Sequence, residues 1–109
     1  MRLSVSRDHG LPVLSVAGDL DVAGVHSFAA ALDTCSDAYR SSVVIDLTDC
    51  AFIDSGGLNV LFQTVRRLDG TAWLGLVGAN ADLRRVFETV RLTSAPSLRL
   101  FDGSSDVHE

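Results

Sequence analysis

The sequence predicts an α/β domain: a mixed, mostly parallel sheet of about four to five strands packed with three to four helices. Short β-branched runs take turns with longer segments whose apolar residues recur at helical spacing. Strands that alternate with helices imply parallel neighbours joined by right-handed crossovers. Only a turn separates the first two strands, which adds an antiparallel pair. The 109 residues fit one domain, and 47% hydrophobic content supplies a core. Residues 1–101 read as that domain and 102–109 as a polar C-terminal tail.

Leu3 and Val5 alternate with polar residues as a first strand. Asp8-His9-Gly10 is a turn, and Val13, Leu14 and Val16 continue as a second strand ending at Gly18. Asp21 occupies the expected N-cap of a helix whose stripe is Val25, Phe28, Ala29 and Leu32, ending near Cys35-Ser36-Asp37. Ser42 to Leu47 is almost continuously apolar and suits a central strand buried on both faces. A second helix follows Asp54-Ser55-Gly56-Gly57, with Leu58, Leu61, Phe62, Val65 and Leu68 inward and Asp69-Gly70 as its stop. Ala72 to Val77 is a strand. Asn80 caps a third helix bearing Leu83, Val86, Phe87 and Val90. Leu98 and Leu100, after Pro96, form a last short strand.

The formal net charge of -5 opposes nucleic-acid binding, which needs a basic surface. All nine basic residues are arginines. Without lysine there is no P-loop lysine, Schiff base or kinase-type strand lysine. No apolar run approaches a membrane span, and Met1 to Val5 lacks the layout of a signal peptide. A soluble, cytoplasmic protein is expected. Cys35 and Cys50 lack metal-site spacing and read as reduced, small apolar residues.

The unusual segment is Phe52-Ile53-Asp54-Ser55-Gly56-Gly57-Leu58. Two glycines at a helix start imply close approach to the backbone or a positive φ. Helix N-terminal amides favour an anion, so a phosphate on Ser55 can be accommodated there. The plainer alternative makes Ser55 or Asp54 a helix cap. Ile53 stands where a serine-hydrolase elbow carries its first glycine. His9, His26 and His108 are scattered, with no evident base for a nucleophile. No catalytic residue, metal ligand or cofactor is therefore expected. Asp19, Asp21, Asp46, Asp49 and Asp54 read as loop and capping groups. Arg66-Arg67 and Arg84-Arg85 read as solvated helix faces.

Together, Val43 to Leu47, Phe52 to Leu58 with Leu61, Gly18-Asp19-Leu20-Asp21, and Leu83 to Glu88 resemble the signature of STAS domains in bacterial anti-sigma factor antagonists. The resemblance covers nearly the whole chain. It implies a STAS-like fold, with Ser55 as the phosphoacceptor and Asp21, Asp54, Ser55, Gly56, Gly57, Asn59 and Gln63 as the partner-docking surface. The implied partner is an anti-sigma factor with a histidine-kinase-like ATPase fold. It is bound by the unmodified chain, which frees the sigma factor; it is released by phosphorylation and regained through a metal-dependent serine phosphatase. STAS domains also act as non-switching scaffolds, in stress-signalling assemblies or lipid-transport ABC complexes. Gly56 stands where the family often has a second serine or threonine. Arg91 replaces the usual glycine after the third helix, which implies a different turn there. The short tail implies a truncated or absent last helix.

Overall fold

The computed structural model describes residues 1–101. The polar tail, with His108, lies outside the described residues. A six-stranded sheet carries three α-helices and one 3-10 turn. The strands are β1 (Arg2–Asp8), β2 (Leu11–Leu20), β3 (Val43–Asp46), β4 (Cys50–Ile53), β5 (Leu74–Val77) and β6 (Leu98–Phe101). The helices are α1 (Val25–Cys35), α2 (Ser55–Arg67) and α3 (Ala81–Thr89). Sheet order is β1-β2-β3-β5-β6. The β1–β2 pair is antiparallel, and the β2–β3, β3–β5 and β5–β6 pairs are parallel.

Strand β4 adds one element to the five expected from the sequence. It pairs with the far end of β2, placing Gly18 opposite Cys50 and Leu20 opposite Ile53, after a register shift at Gly18/Asp19. The ten-residue β2 thus serves two parallel partners in succession, β3 over Val13–Ser15 and β4 over Gly18–Leu20. β4 holds only four residues, of which just Cys50 and Ile53 are buried, so neither length nor alternation marks it as a strand.

The parallel strands show why β3 reads as continuously apolar. Val43 and Ile45 enter the main core against the helices, while Val44 packs on the opposite face with Trp73 and Val77. Phe28, Leu32 and Phe87 are fully enclosed in the main core. Burial of each such side chain contributes about 1.5–3 kcal/mol.

Helix ends depart from expectation in three places. Asp21 does not cap α1; Gly24 stands at the N-cap with no side-chain bond. Asp21 instead closes the preceding turn, its Oδ1 accepting from Ala23 N at 3.1 Å and its carbonyl from Gly24 N at 3.0 Å. Val90 is not part of the α3 stripe, because the helix ends at Thr89 and leaves Val90 exposed at its C-cap. Helix α2 ends at Arg67 with Leu68 extended, and Gly70 takes its positive φ in the following turn. The Asn80 cap forms as expected, with Oδ1 accepting from Leu83 N at 2.8 Å.

Arg91 sets an instructive turn. It adopts φ 64, ψ 26, the left-handed conformation that glycine takes without strain. Its amide donates to Glu88 O at 3.1 Å, closing the end of α3. The turn is therefore kept with a residue that fits it poorly. Arg91→Gly is expected to raise stability by about 1 kcal/mol, since the left-handed strain exceeds the added unfolded-state entropy. The urea unfolding midpoint checks this; a lowered midpoint contradicts it.

A second strained segment follows α1. Asp37, Ala38 and Tyr39 all have positive φ. Fully buried Ser36 holds them: its Oγ accepts from Tyr39 N at 3.0 Å, and its carbonyl accepts from Arg40 N and Ser41 N at 2.9 Å each. The Arg67 guanidinium lies 5.6 Å from the Tyr39 ring centroid.

Candidate functional site

The site is built where β2 and β4 end side by side. Asp54 N donates to Leu20 O at 3.0 Å, which ties the start of α2 to the end of β2. Asp54 is the N-cap of α2: its backbone is extended, and its Oδ1 accepts from Gly57 N at 3.0 Å. Capping is thereby assigned to Asp54 and not to Ser55. Ser55 is the first helical residue and is exposed. Among the described residues its hydroxyl makes no hydrogen bond. It stands at the positive end of the helix, beside first-turn amides that the cap does not use.

The two glycines have different surroundings. Neither has a positive φ. Gly57 is buried, and a Cβ there would lie 2.8 Å from Ile53 Cγ2 and 2.9 Å from Leu20 Cγ. Close approach by β2 and β4, and not backbone conformation, is what this position requires. Gly57 therefore shapes the site from beneath. Gly56 is half-buried, and a Cβ there would meet only Asp54 Oδ1 at 3.3 Å and Val25 Cγ2 at 3.8 Å.

Ser55, Asn59 and Gln63 follow one another at i, i+4 and i+8 and form an exposed stripe on α2. Half-buried Asp21 follows Leu20 beside it. The structure thus gathers the singled-out residues at one end of the sheet. It adds two that the sequence reading missed. Val22 is 78% exposed and Phe52 53% exposed, large apolar side chains two residues after Leu20 and two before Asp54 in the chain. Phe52 faces outward because Ile53, its neighbour in β4, faces the core. Its pairing with Asp19 was not visible without β4.

Of the acidic residues near this end, Asp21, Asp46 and Asp54 serve as turn or cap groups, whereas Asp19, expected in a loop, lies within β2 opposite Phe52. Asp46 Oδ1 accepts from Thr48 N at 2.9 Å and from Thr48 Oγ1 at 2.6 Å. No cluster of metal-ligating side chains occurs among the described residues. His26 is exposed on α1, and His9 lies in the β1–β2 turn, 3.5 Å from Asp8.

Both cysteines are free thiols. Cys35 borders a groove with Arg7 and Pro12, near the start of β2, whereas Cys50 pairs with Gly18 near its end. Six residues of strand separate these positions by roughly 20 Å, far beyond disulfide reach. Burial pushes both thiols above the ordinary cysteine pKa; nearby Arg7 partly opposes this at Cys35. Thiolate is therefore scarcer at neutral pH than for a free cysteine, and it grows only as pH rises. Alkylation by iodoacetamide at pH 7.5 is expected to be several-fold slower than for a model thiol. Alkylation of either native cysteine faster than the model thiol contradicts this.

Helix α2 starts from a strand end, carries an unused serine hydroxyl at its first position and leaves a polar stripe uncovered. The same frame recurs in proteins of known structure. A family profile described as "Mlab, STAS domain" matches residues 3–100. Anti-sigma-F factor antagonist RsfB of Mycobacterium tuberculosis is 26% identical over 104 residues, covering 95% of this chain and 84% of that one. The crystal structure of an anti-sigma factor antagonist from Mycobacterium paratuberculosis aligns at 25% identity with a TM-score of 0.83. It covers 96% of this chain and 88% of that one. SpoIIAA aligns at 17% identity over 96% of this chain and 92% of its own in the unphosphorylated form, with a TM-score of 0.72. The phosphorylated form of SpoIIAA from Bacillus gives 0.71, with 97% of this chain and 96% of its own covered. No helix among the described residues is long and apolar enough to cross a membrane. A profile match running from the first strand to the last, on a fold shared with these antagonists, makes this chain a member of the STAS domain family.

Proposed function

We propose that this chain is a cytoplasmic anti-sigma factor antagonist that acts by binding and is switched by phosphorylation of Ser55. The observation that carries the proposal is the placement of Ser55. Its hydroxyl is exposed, unused by the helix cap, and stands at the head of the exposed Asn59–Gln63 stripe. An uncovered polar helix face suits a protein partner better than a small substrate. RsfB and the Mycobacterium paratuberculosis protein, both anti-sigma factor antagonists, support the choice of partner.

In the proposed cycle the unmodified chain docks on an anti-sigma factor that has a histidine-kinase-like ATPase fold, and the sigma factor is released. That partner transfers the γ-phosphoryl group of ATP to the Ser55 hydroxyl. The chain itself supplies the acceptor oxygen and has no catalytic role. Phosphoserine adds about -1.5 to -2 charges at neutral pH. The N-terminus of α2 tolerates that charge locally, so the fold is kept. A desolvated interface does not tolerate it, so the complex is lost. A serine phosphatase returns the chain to its binding form.

The test is phosphotransfer. The chain is incubated with its cognate anti-sigma kinase and ATP, and the product is mapped by mass spectrometry. One phosphate on Ser55, absent from Ser55→Ala, is the expected result. Gly56 leaves no hydroxyl at the next position to substitute for it. A tight complex with no phosphate transferred favours a non-switching scaffold instead.

A further inference from the structure

A second site lies at the opposite end of the sheet. A cleft of about 840 Å³ opens beside Leu11 and Pro12 at the start of β2 and beside Trp73 at the approach to β5. Ser55 lies beyond the other end of the ten-residue β2.

The charge in this cleft runs against that of the protein. The chain has nine basic and fourteen acidic residues, yet among the described residues the cleft is lined by three arginines, Arg7, Arg40 and Arg99, and by one carboxylate, Asp37. The arginines come from three separate elements: β1, the segment after α1, and β6. Neither Arg7 nor Arg40 is ion-paired among the described residues.

Arg7 Nη1 donates to Gly10 O at 3.1 Å. The Arg99 guanidinium lies 4.4 Å from the Trp73 ring centroid, so it is held against the wall of the cleft. The backbone of Arg40 is fixed by the bond from its amide to Ser36 O, directly after the three left-handed residues Asp37, Ala38 and Tyr39. Strained backbone of this kind concentrates at ligand clamps. A guanidinium held in advance, as that of Arg7 is, matches the geometry of phosphate oxygens and loses little entropy on binding. The hydroxyls of Ser41 and Thr71 line the same cleft. Its volume is within the range of small-molecule pockets, about 300–1,000 Å³.

We propose that this arginine-lined cleft binds a small phosphate-bearing anion, at a site separate from Ser55 and independent of its modification. The ligand places its phosphate oxygens against Arg7 and Arg40. Any organic portion rests on Leu11 and Pro12.

The experiment is calorimetric titration of the full chain with inorganic pyrophosphate and, separately, with ADP, at low ionic strength. Saturable binding is expected, weakened about tenfold in Arg40→Ala and in Arg7→Gln and unchanged in Arg85→Ala on α3. Tighter binding of ADP than of pyrophosphate assigns a role to Leu11 and Pro12; equal binding assigns recognition to the phosphates alone. Amide shift changes in nuclear magnetic resonance should centre on Ser41, Thr71 and Trp73. If Arg40→Ala loosens its loop, Arg7→Gln carries the same test from a different element. Three results each overturn the proposal. They are no saturation by either ligand up to about 5 mM, equal affinity in all variants, or shifts centred on Ser55 to Asn59.

Discussion

Ser55→Asp is expected to weaken binding to the anti-sigma partner by about 100-fold or more, while Ser55→Ala binds like the unmodified chain. The carboxylate projects from the first residue of α2, where the phosphate is proposed to sit. In the free chain that position favours negative charge, because it lies at the positive end of the helix dipole. The variant is therefore expected to fold normally. In the complex the same charge must shed its water against the partner. Burying an unpaired carboxylate costs several kcal/mol, which exceeds the helix-dipole gain of about 0.3–1 kcal/mol. The serine-to-alanine change removes a hydroxyl that makes no bond among the described residues, so neither stability nor affinity should move much. Titration calorimetry on the three proteins reads this directly. Loss of binding in Ser55→Ala contradicts it, since the hydroxyl itself would then be a docking contact.

Gly57→Val is expected to lower stability by about 3 kcal/mol, while Gly56→Ala next to it is neutral or slightly stabilising. Alanine inside a helix gains about 1 kcal/mol over glycine, and β-branched valine gains less than that. The difference lies beneath the helix. At Gly57 the first added carbon meets Ile53 and Leu20 inside normal contact distance, and these neighbours are 4% and 0% exposed. They have nowhere to move, and a β-branched side chain adds two more carbons. At Gly56 the nearer contact is the capping Asp54 Oδ1 at 3.3 Å, which must give by a few tenths of an ångström, and Val25 lies at 3.8 Å, so no more than a small strain offsets the helix preference. Denaturant unfolding of both variants measures the contrast. Equal stability of the two would mean that β2 and β4 yield to α2, and that Gly57 does not set the height of the site.

Most of the fold was legible because its elements bury themselves in distinct rhythms. The β3 run from Val43 to Ile45 feeds both faces of the sheet, and the α2 stripe feeds one. Those rhythms survive in the sequence. Strand β4 did not, because four residues with two buried make no pattern, and its pairing depends on a register shift in β2. The Asn80 cap was legible from its side chain and the stripe that follows, whereas at α2 the sequence left Ser55 and Asp54 as alternatives and the bond to Gly57 N decides for Asp54. Asp21 has the right chemistry, but a turn intervenes before α1 starts at Val25. The replacement of glycine by Arg91 suggested an altered turn, yet the surrounding bonds impose the left-handed conformation on arginine. The polar members of the site were legible by residue type and by family resemblance. Val22 and Phe52 were not, since an exposed apolar side chain is known only once the residues beside it are seen to face inward.

The central claim is that a phosphate on Ser55 switches a preformed surface without refolding the domain. The direct measurement uses one preparation in two states. The chain is phosphorylated stoichiometrically, then half is returned to the unmodified form by a serine phosphatase. Both halves are titrated with the anti-sigma partner, and their circular dichroism is compared. The predicted result is matching spectra, with tight binding only in the dephosphorylated half. Equal affinity in the two halves, or a spectrum showing lost structure in the phosphorylated half, contradicts it.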